Sequence, residues 1–436
     1  MPHEQFDSTK YLKRIVENDL CTSCGTCAGV CPTNAISMLK NLSDIFVPKI
    51  HNAKCNNCGL CAHICPSYQV KLKEINKNVF NKLPEDYVVG NYINSYLAHA
   101  TNIKTRMIGQ SGGIITSLLL YALKEKLIDG AILVKMKKTN EPQIFIARSE
   151  EDIISGSKSK YCPVPMNIIL KTIKNERGKY AYVGLPCHMH GIRNAENILP
   201  WLKERVVLHF GLICEGTLNF SFIKYLSSRI GIDESLITHI TYRDKSWRGW
   251  PGDLLVTLKN GELINLTKDY RTSVKPFFTP WRCYLCFDKL NTLADVSIGD
   301  PWLSTLQKDK LGSCIVVTRN TLAENLINQA SGAGIIIKKT ISIEHVLEAQ
   351  KPHKKAMFAK RYRKMAYLEG KNAPICQDLF NQKKLNSTIW TGLILVFFYY
   401  LLFKIARKTT GKMLINLSPM PVLKLVTTLI RMFNVR

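Results

Sequence analysis

Cys21-Thr22-Ser23-Cys24-Gly25-Thr26-Cys27-Ala28-Gly29-Val30-Cys31-Pro32 and Cys55-Asn56-Asn57-Cys58-Gly59-Leu60-Cys61-Ala62-His63-Ile64-Cys65-Pro66 are two copies of one pattern, Cys-x2-Cys-x2-Cys-x3-Cys-Pro, set 34 residues apart. They take up eight of the fifteen cysteines. In this doubled spacing three thiolates of a run hold one 4Fe–4S cube and the fourth crosses to the other. Soft sulfur ligands select iron–sulfur chemistry. The expected sets are Cys21, Cys24, Cys27 and Cys65 for one cluster, and Cys31, Cys55, Cys58 and Cys61 for its partner. Zinc ribbons and disulfides are the alternatives. Zinc sites pair two Cys-x2-Cys units and have no use for a third cysteine two residues on, or for a proline after the fourth. The pattern therefore implies electron transfer.

A chain of 436 residues, 46% of them apolar, has room for two or three domains and a substantial core. The polar opening MPHEQFDSTKYLKR lacks an apolar h-region and reads as no secretory signal. Cluster thiolates want a reducing setting, so a cytoplasmic protein is expected. The formal charge of +27 is concentrated late: Lys351 to Lys364 holds seven Lys/Arg and no acid, and nine more basic residues with no acid follow Asp378. No helix-turn-helix, zinc-finger or RNA signature accompanies this charge, so nucleic acid is not an expected partner. Basic residues beside apolar sequence point instead to a membrane surface.

The cysteine repeat forms a bacterial-ferredoxin-like module over residues 15–70, small enough that metal clusters must replace much of its core. The polar stretch that follows, with 71–87 as its bounds, reads as a linker. Strands and helices then alternate over 88–350. Tyr92 to Ala100 reads as a strand and Ile114 to Lys126 as a helix with Ile114, Ile115, Leu118, Leu119, Ala122 and Leu123 on one stripe. Strands are expected at Ala131–Met136, Lys179–Leu185, Arg205–Ile213, Val296–Gly299 and Cys314–Thr318. A hairpin is expected at Leu254–Leu258 and Leu263–Leu266 around Asn260-Gly261. The fold class is α+β or mixed α/β. Residues 351–436 form a basic, partly apolar helical tail. Its run Ile389 to Phe403 is fifteen uncharged residues, short of the roughly 20 that a bilayer span needs. It and Met413–Phe433 are expected to be membrane-surface or partner-docking helices, peripheral on the inner face of the cell membrane.

Seven cysteines lie beyond residue 150. Cys283-x2-Cys286 is a ligand-type pair. Cys187 and Cys214 each follow an apolar strand, and the ends of neighbouring parallel strands would bring them together. These four could hold a third 4Fe–4S cluster or be core residues. Cys162, Cys314 and Cys376 are expected to be packing residues.

Several further segments act together. They are Gln110-Ser111-Gly112-Gly113 before a helix, Gly156-Ser157-Lys158-Ser159-Lys160-Tyr161, Gly184-Leu185-Pro186-Cys187, Gly211-Leu212-Ile213-Cys214, Trp247-Arg248-Gly249-Trp250-Pro251-Gly252, and Cys283-x2-Cys286-x-Asp288 with Ala294-Asp295 and Gly299-Asp300. Over about residues 15–350 the chain resembles the family of coenzyme F-420 hydrogenase/dehydrogenase beta subunits. That family includes beta subunits of F-420-reducing hydrogenase and formate dehydrogenase, input subunits of F-420H2 dehydrogenase, and plant hydroxymethyl chlorophyll reductase. The resemblance implies an FAD enzyme passing hydride at one flavin face and single electrons to clusters at the other. It also implies Cys187, Cys214, Cys283 and Cys286 as ligands of a flavin-proximal cluster, coenzyme F-420 as a substrate, and a ferredoxin or an oxidoreductase subunit as redox partner.

The residues bear on this directly. Gly112-Gly113 at a helix start would let backbone N–H groups approach the FAD pyrophosphate, or simply make a tight turn. Gln110, Ser111 and Thr116 are polar groups of the same candidate site. Lys158, Lys160 and Tyr161 could contact phosphate or the isoalloxazine. No G-x-G-x-x-G fingerprint occurs, which argues against a Rossmann nicotinamide site. Trp247 and Trp250 are core aromatics or a cofactor wall, and Asp288, Asp295 and Asp300 turn or cap residues or site residues. One departure from the family pattern is His188 where glutamine is common after Pro-Cys; it is a catalytic candidate with Lys158 and Lys160, as a proton donor or flavin-tuning group, or a packing residue. The function expected is an iron–sulfur flavoprotein oxidoreductase linked to F-420. The alternatives are a ferredoxin-dependent reductase of a membrane or glycan intermediate, and an electron-relay subunit.

Overall fold

Strand-length apolar runs alternating with helices predict a sheet through the middle of the chain. The structure, a computed structural model, describes residues 8–138, 140–306, 308–368, 373–374, 401 and 414–433. Its strands are β1 (Ile36–Lys40), β2 (Phe46–Ile50), β3 (Asn94–Ala100), β4 (Gly130–Met136), β5 (Pro142–Ala147), β6 (Tyr180–Gly184) and β7 (Val206–Leu212). They continue as β8 (Ile237–Asp244), β9 (Asp253–Leu258), β10 (Leu263–Leu266), β11 (Val296–Gly299), β12 (Cys314–Thr318) and β13 (Ile336–Ile341). Eight form a mixed sheet in the order β13-β3-β12-β11-β7-β6-β4-β5. The centre, β11-β7-β6-β4, is parallel, and antiparallel strands extend both edges.

Both faces of the parallel strands are buried, as expected where crossover helices cover them. Ala131, Leu133 and Ala181 face Leu118, Leu119 and Leu326 of the helices Ile114–Lys124 and Thr321–Gly332. Ile132, Tyr180 and Tyr182, one residue out of phase, face the other core with Leu170, Met189 and Ile192. The predicted hairpin is present as β9–β10, and β8 adds a third strand to it. β8 is not legible in the sequence: it carries His239, Thr241 and Arg243 among its apolar residues, which dilutes the run.

The N-terminal module contains the antiparallel pair β1–β2. Each cysteine run enters a one-turn helix, Thr26–Gly29 or Leu60–His63, through a left-handed glycine, Gly25 at φ 78° or Gly59 at φ 73°. The module is fastened to the sheet domain. Val30 and Ile64 join the larger core. The Asn167 N–H donates to the Cys24 carbonyl at 2.8 Å and its side-chain amide to Thr26 Oγ1 at 2.8 Å. A Cβ at Gly29 would stand 1.9 Å from the Asn167 carbonyl oxygen, so only glycine fits there. Gly29→Ala is expected to destabilise the protein by about 1–3 kcal/mol, the usual range for overpacking. A thermal unfolding midpoint equal to wild type would refute this tight docking.

Two boundaries differ from expectation. The stretch read as a linker contains the helix Leu72–Phe80, whose Leu72 and Ile75 are buried in the main core. Lysines and asparagines between them conceal a 72/75/79 stripe. The tail region begins with the helix Pro352–Leu368, whose Ala356 and Ala359 belong to the same core. Ile389–Phe403 and Cys376 lie outside the described residues, apart from Leu401. The helix Met420–Phe433 packs back on the protein: Leu423 and Ile415 join the core, Lys424 pairs with Asp269 at 2.8 Å, and Arg229 donates to the Asn416 and Ser418 carbonyls. Among the described residues no helix is long and apolar enough to cross a membrane.

Candidate functional site

The eight cysteines of the repeat fall into two groups. A cavity is lined by Cys31, Cys55, Cys58 and Cys61, with Pro32, Ile36, Ile50 and Leu60. Those thiols are one expected ligand set, three from the second run and one from the first. Burial pushes the Cys61 thiol up to about 12, helped by the charges of Cys58, Cys31, Cys65 and Cys55. Cys27 is pushed up by burial and then by Cys24, Cys65, Cys21 and Cys61, so the other set also converges. Thiols so crowded resist ionising on their own, which is the state that iron's positive charge relieves. Backbone N–H groups of Ser23 and Ala35 donate to the sulfurs of Cys21 and Cys31 at 3.4 and 3.2 Å. Among the described residues no three His, Cys, Asp or Glu side chains form a site for a single metal ion. The residues fit a cluster, whose ligands surround a body several atoms wide.

A second convergence lies at the carboxyl ends of β6 and β7, which pair in parallel. Cys187 is the second residue of the helix Pro186–Glu196 after β6, and Cys214 follows β7. Cys283 and Cys286 come from the short helix Trp281–Tyr284 and the turn after it. The Cys187 thiol is driven far up by burial and then by Cys214, Cys24, Cys283 and Cys286. Four thiols from three loops are thus charge neighbours, and Cys24 of the N-terminal module is another. The Gly216 N–H donates to Cys214 Sγ at 3.3 Å.

The remaining candidates surround the loop 156–161, near the end of β8. Lys158, at φ 66°, pairs with Asp244 at 2.7 Å. Lys160 turns into its own loop, its ammonium donating to the carbonyls of Gly156, Ser157 and Lys158 at 2.6–2.9 Å, and burial lowers it to about 7. Gln110 Oε1 accepts from the Ser159 N–H at 2.9 Å, while its Nε2 is buried without a partner. Arg271 lies over the Tyr161 ring at 4.7 Å, and its Nε is likewise buried and unpartnered. Burial would raise Tyr161, yet Arg243 and Arg271 outweigh it and leave the phenol lowered. Arg243 forks onto Asp300 at 2.6 and 2.7 Å, and Trp250 Nε1 donates to Asp300 at 2.9 Å. Two orphaned donors on a cationic wall fit an anionic ligand such as the FAD pyrophosphate.

The glycine pair has a different basis. A Cβ at Gly112 would come within 2.8 Å of the Ala98 carbonyl and 3.0 Å of the Cys314 N, so its bareness serves contact with β3 and β12. Ser111 donates to the Ser313 carbonyl and Thr116 meets Ser157 at 3.2 Å. His188 caps its own helix, Nδ1 accepting from the Leu185 N–H at 3.2 Å, and burial lowers it to about 4. Trp247 is half exposed. Cys162 and Cys314 are buried packing residues, as expected.

Comparison with known proteins supplies a family. The description "Coenzyme F-420 hydrogenase/dehydrogenase, beta subunit N-term" matches residues 95–171 and its C-terminus counterpart matches 177–344, together more than half of the chain. The chain belongs to this family. A 4Fe-4S dicluster domain matches residues 20–68, so this F-420 beta-subunit relative is an iron–sulfur protein of an oxidoreductase family. The coenzyme F-420-dependent sulfite reductase of Methanocaldococcus jannaschii is 28% identical over 304 residues, 66% of this chain and 43% of that protein. The chain thus spans less than half the length of that relative. The coenzyme F-420 hydrogenase subunit beta of Methanothermobacter thermautotrophicus is 26% identical over 61% of this chain and 94% of its own length. A subunit of the F-420H2 dehydrogenase of Methanosarcina mazei is 23% identical over 69% and 82%. In structure, a chain of the F-420-reducing [NiFe] hydrogenase complex from Methanosarcina barkeri superposes with TM-score 0.52 at 20% identity, covering 67% of this chain and 99% of its own, which shows a shared fold.

Within the F-420 beta-subunit region, sequence reading missed Arg243, Lys245 and Arg271. Lys245 donates to the carbonyls of Arg106, Ser111 and Leu311, fastening the Gln110–Gly112 turn. It also missed that Asp288 is hydrogen-bonded to His190 at 2.9 Å and that Asp295 is ion-paired with Arg193 at 2.8 Å. In a chain with 60 Lys and Arg, no local pattern marks the buried ones.

Proposed function

We propose that this chain is the F-420-linked subunit of an oxidoreductase. It would hold two 4Fe–4S clusters on the repeat cysteines, a third on Cys187, Cys214, Cys283 and Cys286, and FAD in the cleft bounded by Gln110, the 156–161 loop, Arg243 and Arg271. The meeting of those four thiols beside Cys24 carries the reading, because it makes the repeat module and the sheet domain parts of one electron route. Bound in the cleft, FAD would join hydride exchange with coenzyme F-420 to single-electron transfer. Arg271 Nε and Gln110 Nε2 would donate to its anionic oxygens. Lys158, Lys160 and Lys245 shape the loops around it. A ferredoxin or an oxidoreductase subunit would be the external redox partner.

Anaerobic purification should give about twelve irons and one FAD per chain, and reduced F-420 should lose its absorbance change on mixing when FAD is stripped. About eight irons without flavin would overturn the proposal. Arg271→Gln should weaken FAD retention about tenfold to a hundredfold, the loss expected for a charged hydrogen bond of about 1.5–3 kcal/mol. Equal flavin content after dilution and desalting would remove Arg271 from the site.

A further inference from the structure

The helix Pro352–Leu368 begins beyond residue 344, where the family match ends, yet its first turn reaches the four-thiol site. Lys355 Nζ donates to the Cys214 carbonyl at 2.7 Å and to the Asp288 carbonyl at 3.2 Å. One acceptor is in the loop after β7, the other two residues past Cys286. Ala356 and Ala359, buried in the main core, hold the helix there. The nearby carboxylates have other partners: Glu215 is paired with Lys289, and the Asp288 side chain takes His190 and the Thr292 N–H. The ammonium is buried, with Cys286, Cys214, Glu215 and Cys283 as its charge neighbours.

We propose that Lys355 is a positioning residue for the cluster on Cys187, Cys214, Cys283 and Cys286, tying two of its three loops together and raising its reduction potential as a buried cation. Reduction adds negative charge to a cluster, and a fixed positive charge in a low-dielectric setting stabilises that form more than the oxidised one. The inference rests on the third-cluster reading. It also means that a segment outside the matched family region, rather than the cysteines alone, sets where this cluster lies on the potential scale.

Potentiometric titration of the full-length holoprotein, followed by EPR, tests it with two variants. Lys355→Gln keeps a hydrogen-bond donor and removes the charge; Lys355→Arg keeps the charge. In Lys355→Gln one midpoint should fall by at least tenfold in the one-electron equilibrium constant, which is about 59 mV, while the two midpoints of the repeat clusters stay. Lys355→Arg should stay near wild type. Iron loss from Lys355→Gln with Lys355→Arg fully loaded supports the same role. Unchanged midpoints in fully loaded Lys355→Gln, or equal iron loss from both variants, overturn it. A wild-type protein with only about eight irons overturns the third-cluster reading itself.

Discussion

Cys187→Ser, purified anaerobically, should carry about eight irons per chain instead of about twelve, and should lose one EPR signal while the paired signals of the repeat clusters persist. The expectation follows from where each sulfur stands. Cys187 has Cys214, Cys283 and Cys286 among its charge neighbours, with Cys24 of the N-terminal module. Serine preserves the size of the side chain but offers a hard oxygen in place of the soft thiolate that iron–sulfur chemistry selects. The repeat sets do not depend on it, since the cavity at Cys31, Cys55, Cys58 and Cys61 is formed within the N-terminal module. Reduction of the repeat clusters by reduced F-420 should then stop while flavin reduction continues. Twelve irons and an unchanged spectrum in the variant would remove Cys187 from the ligand set and separate the two halves of the proposed route.

What could be read in advance follows a physical division. The repeat cysteines were legible because cluster ligation fixes spacing within a dozen residues, and Cys31, Cys55, Cys58 and Cys61 line one cavity. The parallel pairing of β6 and β7 was legible because their apolar runs end at Cys187 and Cys214. Lys355 was not, because its relation to Cys214 spans 141 residues and its neighbours in sequence are a solvated-looking basic run. The surroundings of the 156–161 loop were half legible. Gln110, Ser111 and the 156–161 loop were found by motif, but Lys160 is enclosed by its own loop and the glycines serve strand contact, whereas Arg271, which no motif marks, keeps an unpartnered donor beside that of Gln110. The motif marks the loop; it does not say which buried cation keeps an unpartnered donor.

Asp295→Asn should destabilise the fold by about 3–5 kcal/mol, the usual result of breaking a buried ion pair on one side. Asp295 precedes β11 and is the hub of a network under the sheet. Its Oδ1 accepts from Arg193 Nη2 and Asn320 Nδ2, both at 2.8 Å, and its Oδ2 from the His209 N–H at 2.8 Å and His209 Nδ1 at 3.1 Å. Glu196 completes it, with His209 Nε2 at 2.7 Å and Arg193 Nη1 at 2.8 Å. Burial alone would raise the Asp295 carboxyl, but Arg193 and His209 outweigh it and hold it far below the usual range. A depressed carboxylate contributes stability that is present above its unfolded value of about 3.9 and is lost as pH falls through the folded value. The wild-type midpoint should therefore drop steeply in acid, and the variant should lose part of that slope. His209 behaves with the opposite sign. Burial and Arg193 push it down, Glu196 and Asp295 overcome them and leave it raised, so its contribution is complete below about 6.5 and fades as pH rises through the folded value. Removing one of its two carboxylates should bring that alkaline loss to lower pH. Thermal unfolding followed by circular dichroism from about pH 2 to 9 reads both limbs. A variant parallel to wild type across the whole range would show that the network is held by shape and not by charge.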